Sequence, residues 1–266
     1  MKKPLMTVRH LLPAFLASSL LAGCATGPDP RDPLEPFNRK VYSFNDSVDK
    51  AVVKPAAKGY VAVVPQLARR GVTNFFSNLG MITTTLNDLF QLKGTKVPVD
   101  FARFTTNLVF GLGGLIDVAT ELKIENRSED FGQTLGYWGV GSGPYLILPF
   151  FGPSDTRDAP GLAVDFLTSP TFYWSPEPQV RWGTFLLDVV DTRANLLGAE
   201  KFFNTAAIDP YTFLRDSYLQ RREYLIYDGN PPTGPKASQK SLKELEEEDL
   251  SDEPVPLRAA PRIRKP

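Results

Sequence analysis

Histidine and cysteine are almost missing from this chain. Across 266 residues the only histidine is His10 and the only cysteine is Cys24. Beyond residue 24 a Ser-His-Asp or Cys-His relay has no imidazole, and most zinc and transition-metal sites have no ligands. A single cysteine cannot close an intramolecular disulfide. Excess charge of one sign is also missing, with 30 basic against 30 acidic side chains. Nucleic-acid binders usually carry a basic patch, so no nucleic acid is expected as a partner. Phosphate loops are absent too. Gly111, Gly113 and Gly114 lead into Leu115 and Ile116, so no G-x-G-x-x-G forms, and no Walker A sequence occurs. Around Ser142 the order is G-x-G-S-G rather than the G-x-S-x-G of a nucleophile elbow. The reading is a protein with no cofactor, no metal and no catalytic residues. Its 42% hydrophobic content with 18 Phe excludes global disorder.

Residues 1–23 read as a secretory signal. Lys2, Lys3 and Arg9 form a charged start, and Leu11 to Ala22 is an apolar stretch of 12 residues. That is too short for a bilayer core of about 30 Å. It ends in Leu21-Ala22-Gly23-Cys24, similar to a bacterial lipobox, with small residues that admit a peptidase and a thiol that accepts a lipid. The alternative is an ordinary signal with an incidental cysteine. Removing residues 1–23 leaves 27 basic and 30 acidic groups, a net of about −3. A chain of that length can bury roughly 70% of its unfolded surface in one core. Cys24 is the expected lipidation site, and two buried acyl chains suffice for stable anchoring. Ala25 follows it, where lipoproteins kept in the inner membrane often have Asp. Residues 24–31 read as lipidated Cys and tether.

The folded part is expected over 32–228. Asp32, Pro33 and Glu35 read as N-cap, N1 and N3 of a first helix. Leu34, Phe37, Val41, Phe44 and Val48 follow in steps of 3, 4, 3 and 4, a helical stripe that Pro55 is expected to stop. Similar segments recur, closed by Pro65, Gly80, Gly94, Gly111 and Gly198. Asp209-Pro210 opens the last helix with a cap and an N1 proline. The prediction is an all-α protein of many short amphipathic helices. From 229 to 266 seven Pro, the acidic run Glu244 to Asp249 and a basic end read as a disordered tail.

Residues 131–154 contain no charged side chain over 24 positions. Six Gly and three Pro prevent one continuous helix there. The spacing predicts a bend at Gly139-Val140-Gly141-Ser142-Gly143-Pro144, flanked by apolar arms at 135–138 and 145–151. Such an element is a hairpin or a re-entrant segment. Uncharged runs also cover 71–87, 104–116 and 166–176. Keeping charge out avoids about 2.5–3.5 kcal/mol per charge at a bilayer centre. Trp138 and Trp174 lie in such runs, as interfacial aromatics do. A body sunk partway into lipid and a soluble domain with apolar core helices both fit this pattern. Asp155, Arg157 and Asp158 pose a similar choice. They read as an Arg-Asp pairing or loop cap before they read as an acid and base.

Five stretches then carry a resemblance. They are DPLEPFNRKVYSFND at 32–46, VKPAAKGYVAVVPQLARRGVTNFFSNL at 53–79, RFTTNLVFGLGGLIDVA at 103–119, FGQTLGYWGVGSGPYLILPFFGPSDTRD at 131–158 and DPYTFLRDSYLQRREYL at 209–225. Together they resemble the MlaA/VacJ family of outer-membrane lipoproteins. The resemblance implies a helical ring in the inner leaflet of the outer membrane. It implies a central amphipathic channel through which stray outer-leaflet phospholipids pass to a periplasmic shuttle, MlaC. Trimeric porins are implied as partners. Gly139, Gly141, Gly143, Pro144 and Tyr145 fall on the hairpin bordering the family's channel. Phe44 and Asn45 fall on a first helix important to lipid flow. A purely structural porin-associated lipoprotein and a lipid-degrading enzyme are the rival classes.

Overall fold

The computed structural model describes residues 27–173 and 176–231. Cys24, Trp174, the signal region and most of the 229–266 tail lie outside the described residues. The elements run in the order α1 (Glu35–Val48), a π-turn (Asp49–Val53), α2 (Lys54–Val63), α3 (Gln66–Phe90), α4 (Val97–Phe110) and α5 (Val118–Glu121). Then come α6 (Phe131–Tyr137), β1 (Tyr145–Leu148), β2 (Gly152–Asp155), α7 (Asp158–Thr168), α8 (Pro170–Tyr173), α9 (Pro178–Ala206) and α10 (Pro210–Ile226). The protein is mostly helical, as its periodicity predicts, with one antiparallel two-stranded sheet.

Four helix boundaries differ from expectation. Asp32 does not cap α1, which begins at Glu35 with Pro36 in its first turn. Asp32 is instead fully buried, accepting from Asn38 Nδ2 at 2.8 Å and from the Tyr211 hydroxyl. Pro55 does not end the first helical run. The wider π-turn accommodates it in the first turn of α2, where its missing N–H needs no partner. The helices are also longer than predicted. α3 runs 25 residues through Gly80, because Asn78, Met81, Thr84 and Asn87 keep one buried stripe across it. That packing outweighs the roughly 1 kcal/mol helix penalty of glycine. α9 passes Gly198, and Glu200, two residues beyond it, is paired both by Lys54 of α2 and by Arg193 Nη2 at 2.9 Å. Asp209 caps α10 as predicted, accepting from the Tyr211 N–H at 3.1 Å.

α3 packs along α4, α9 along α2, and α6 against α7. Gly161 of α7 makes the last contact possible: a Cβ there would meet the Gly132 backbone at 2.7 Å. The apolar core is small and centres on Tyr145, Ile147 and Tyr211, with Val41, Tyr42, Tyr218 and Leu219 around them.

Burial is otherwise inverted. Among the described residues seven buried hydrophobic side chains stand against nineteen buried polar or charged ones. Meanwhile large apolar side chains lie outside. Three left-handed residues, Leu112, Gly113 and Gly114, fold the chain back after α4. That turn leaves Phe110 71% and Leu112 70% exposed, beside exposed Leu108, Val109, Leu115 and Ile116. Isolated exposed apolar residues are ordinary, but a contiguous patch marks a surface that meets lipid or another protein. No described helix is long and apolar enough to cross a membrane.

Candidate functional site

The uncharged 131–154 stretch divides into a helix, a link and a hairpin. Asp130 caps α6 through the Gln133 N–H at 2.8 Å. Gly139, at φ +88°, closes α6, with the Val140 N–H returning to the Leu135 carbonyl at 3.0 Å. Residues 140–143 then run without regular structure into β1. The chain does not reverse at 139–144 as expected. It reverses at Pro149-Phe150-Phe151, between strands registered Tyr145 to Asp155 and Leu148 to Gly152. The turn is set by positive φ at Phe150 (+67°) and Gly152 (+86°). The glycine segment is the link into the hairpin rather than its tip.

A phenylalanine at positive φ needs external support. Helix α1 supplies it. The Phe150 N–H donates to Asn45 Oδ1 at 2.8 Å, and Asn45 Nδ2 donates to the Leu148 carbonyl at 3.0 Å. The Phe44 ring meets Phe150 edge-on at 5.2 Å. Seven residues earlier Asn38 does the same for β1. It donates to the Tyr145 carbonyl at 3.0 Å and accepts from the Ile147 N–H at 2.9 Å. Two asparagine amides on one helix face thus stand in for a third strand. Asn38 was missed from sequence. Its seven-residue spacing from Asn45, two helical turns, was the available signal.

The base of the hairpin is ionic. Asp155 accepts from the backbone N–H groups of Arg157 at 2.9 Å and Asp158 at 2.7 Å. Arg157 Nε donates to Asp158 at 2.8 Å, and Arg222 bridges Asp158 at 2.6 Å and Asp130 at 2.9 Å. Burial pushes the Asp155 carboxyl up to about 6 despite these donors. The three adjacent charges are therefore a structural pairing and a loop cap. A second knot lies behind the 125–130 loop. There Arg127 spans buried Asp88 at 2.7 Å and Asp100 at 2.6 Å. Burial and the nearby Asp88 push Asp100 up to about 7.

Two large cavities flank these elements. One, of about 970 Å³, has Phe151, Leu162, Phe166 and Phe185 on its apolar wall and the 125–130 loop, Asp165, Asp188 and Arg221 on its polar side. Burial pushes Asp165 up to about 6, although the Phe131 N–H donates to it at 3.0 Å. Burial, then Asp191, raises Asp188. The other cavity, of about 1020 Å³, lies between Gly139, Gly141 and Gly143 on one side and Leu219 and Glu223 of α10 with Tyr227 just after it on the other. The predicted site residues therefore fall in two places. Phe44 and Asn45 join the hairpin tip, whose Phe151 lines the first cavity. Gly139, Gly141 and Gly143 line the second. Tyr145 is 0% exposed in the apolar core and faces neither, so it anchors the hairpin from inside. Among the described residues no three metal-ligating side chains gather in one place.

A polar interior, an apolar exterior and amphipathic cavities define a helical protein whose outer face is built to meet lipid or another protein. The MlaA lipoprotein family model matches residues 30–225. The chain is 38% identical over 245 residues to the intermembrane phospholipid transport system lipoprotein MlaA of Escherichia coli K12, covering 88% of this chain and 96% of that one. The protein of the same name from Haemophilus influenzae is 36% identical over 237 residues, covering 84% and 93%. A solved structure, from work on the structural basis for maintenance of bacterial outer membrane lipid asymmetry, superposes with a TM-score of 0.64 at 35% identity. It covers 73% of this chain and 98% of that chain. This chain belongs to the MlaA lipoprotein family.

Proposed function

We propose that this protein is the outer-membrane lipoprotein of an intermembrane phospholipid transport system. It takes mislocalised phospholipid from the outer leaflet through an amphipathic cavity and passes it to a periplasmic shuttle of the MlaC type. The observation that carries the reading is the inverted burial: apolar side chains outside, ion pairs inside, and cavities with both characters on their walls. Such a body is stable at half depth in a leaflet, where its rim meets acyl chains and its interior offers headgroups a polar path. Cys24 anchors it through lipid on the periplasmic side of the outer membrane, and trimeric porins hold it in place.

The hairpin and its link are the movable parts. Phe151 borders one cavity from the tip that Asn45 and Phe44 hold. The glycine link borders the other and has open space around Gly139 and Gly141, and gating segments come from regions of low local stability. Transport is passive. The lipid gradient and removal by the shuttle supply the driving force, and no residue performs covalent chemistry.

The test is transfer of labelled phospholipid from proteoliposomes holding the acylated protein to the purified shuttle. Transfer well above a control with an acylated Cys24 peptide alone is the expected result. Transfer equal to that control refutes the reading and leaves a purely structural lipoprotein. Release of free fatty acid from the same vesicles points to an enzyme instead.

A further inference from the structure

The 970 Å³ cavity carries an unbalanced pair of charges. Six carboxylates line it: Glu125, Glu129, Asp130, Asp165, Asp188 and Asp228. Five are engaged. Glu125 pairs with Lys96 at 3.5 Å, while Glu129 and Asp228 pair with Lys93 at 3.3 and 2.6 Å. Asp130 pairs with Arg222, and Asp165 caps the Phe131 N–H. Asp188 has no hydrogen bond or ion pair among the described residues, although it is half-buried in the middle of α9. Three cations line the same cavity, Lys96, Arg127 and Arg221. Lys96 and Arg127 are paired, and Arg221, exposed on α10, has no partner among the described residues. One free anion and one free cation, from different helices, therefore face a cavity walled by Phe151, Leu162, Phe166 and Phe185.

A half-buried carboxylate without a partner is destabilising unless a cation visits it. The ligand that meets all three features has an ammonium, a phosphate and acyl chains. We infer that this cavity selects phospholipids with a primary-ammonium headgroup, Asp188 contacting the ammonium and Arg221 the phosphate. This inference rests on the transport reading above and adds headgroup selection to it. An anionic glycerol headgroup satisfies Arg221 and leaves Asp188 unpaired. Arg221 thus serves every phospholipid, and Asp188 discriminates among them.

The experiment uses photoactivatable phosphatidylethanolamine and phosphatidylglycerol with identical acyl chains, in phosphatidylcholine vesicles holding the full acylated protein. Cross-linking yield is the readout. A partly exposed ion pair predicts about a three- to fivefold excess of ethanolamine over glycerol lipid. Asp188→Asn abolishes that excess and leaves glycerol-lipid capture unchanged. Arg221→Gln, at an exposed position, lowers capture of both equally and preserves their ratio. Soluble glycerophosphoethanolamine at equal concentration displaces neither lipid, because it lacks the chains that the aromatic wall binds. Equal capture of both headgroups by the wild type, a preference that survives Asp188→Asn, or displacement by the soluble headgroup each overturns the inference. Equal capture leaves the transport reading standing. Capture of neither lipid, with no transfer to the shuttle, removes both.

Discussion

The glycine link at 139–143 and the hairpin at 145–155 are adjacent in sequence, uncharged almost throughout, and held in opposite ways. The hairpin is braced at every level. Asn38 and Asn45 satisfy its backbone from α1, Tyr145 and Ile147 fill the core, and Arg157 and Arg222 tie its base to α6 and α7. After Val140 the link is tied only near its end, where the Ser142 carbonyl accepts from the Thr156 hydroxyl at 3.2 Å and the Arg157 N–H at 3.3 Å. A Cβ on Gly139 or Gly141 would meet nothing within 4 Å. Low charge therefore does not mean one mechanical character. What separates the stiffer element from the looser one here is the brace from α1, whose asparagines hold the hairpin backbone and make no hydrogen bond to the link.

The contrast can be broken most severely at the base. Arg222→Met leaves buried Asp158 and half-buried Asp130 without their shared cation. Removing one partner of such a pair costs about 3–5 kcal/mol. Thermal unfolding in detergent should show a large loss of stability, and a near-native midpoint would mean that the network is not holding the hairpin. Next comes the tip. Asn45→Ala orphans the Phe150 N–H and the Leu148 carbonyl, at about 1–3 kcal/mol locally. Amide exchange should accelerate at 148–152 but not at 139–143. Acceleration of both together would show that the two segments move as one unit.

The glycines sharpen the comparison. Gly143 has φ +64° and Thr156 Oγ1 where a Cβ would go, whereas Gly141 has neither restriction. Gly143→Ala should destabilise by about 1–2 kcal/mol. Gly141→Ala should leave unfolding within about 0.5 kcal/mol of wild type, since it lacks any such feature. Equal losses would contradict the assignment of slack to the link. The smallest effect is in pH. Asp165 beside the link's preceding helix has its carboxyl raised from 3.8 to about 6 by burial. Its contribution is fully present below about 4 and declines as pH rises through about 6, because only the unfolded chain ionises freely in that window. Asp165→Asn should flatten that part of a stability-pH curve, and an unchanged slope would remove Asp165 as its source.

Periodicity made the helices legible, including the stripe of α1 and the cap at Asp209. It misplaced their ends, because glycine and proline penalties near 1–3 kcal/mol are small against the contacts that carry α3 past Gly80 and α9 past Gly198. The uncharged stretch was visible as a non-helical interruption. Its reversal point was not, since the strongest glycine signal lies at 139–143 while the turn is forced by Phe150 under the grip of a helix more than a hundred residues earlier. Long-range support of that kind leaves no local pattern. The same holds for Asp188, which reads as one charge among many until its neighbours are placed and it is the one carboxylate lining its cavity without a partner among the described residues.

The central claim is that the apolar exterior meets lipid while the cavity with Asp188 meets water. Cys24 is the only cysteine of the sequence, and with it acylated as proposed no free thiol remains, so spin labels at single introduced cysteines report cleanly. Labels replacing Phe110 and Leu112 should be reached by dissolved oxygen and shielded from a water-soluble nickel chelate in proteoliposomes, and a label replacing Arg221 should show the reverse. If all three positions are equally open to the chelate, the body does not sit in the leaflet and the account is wrong.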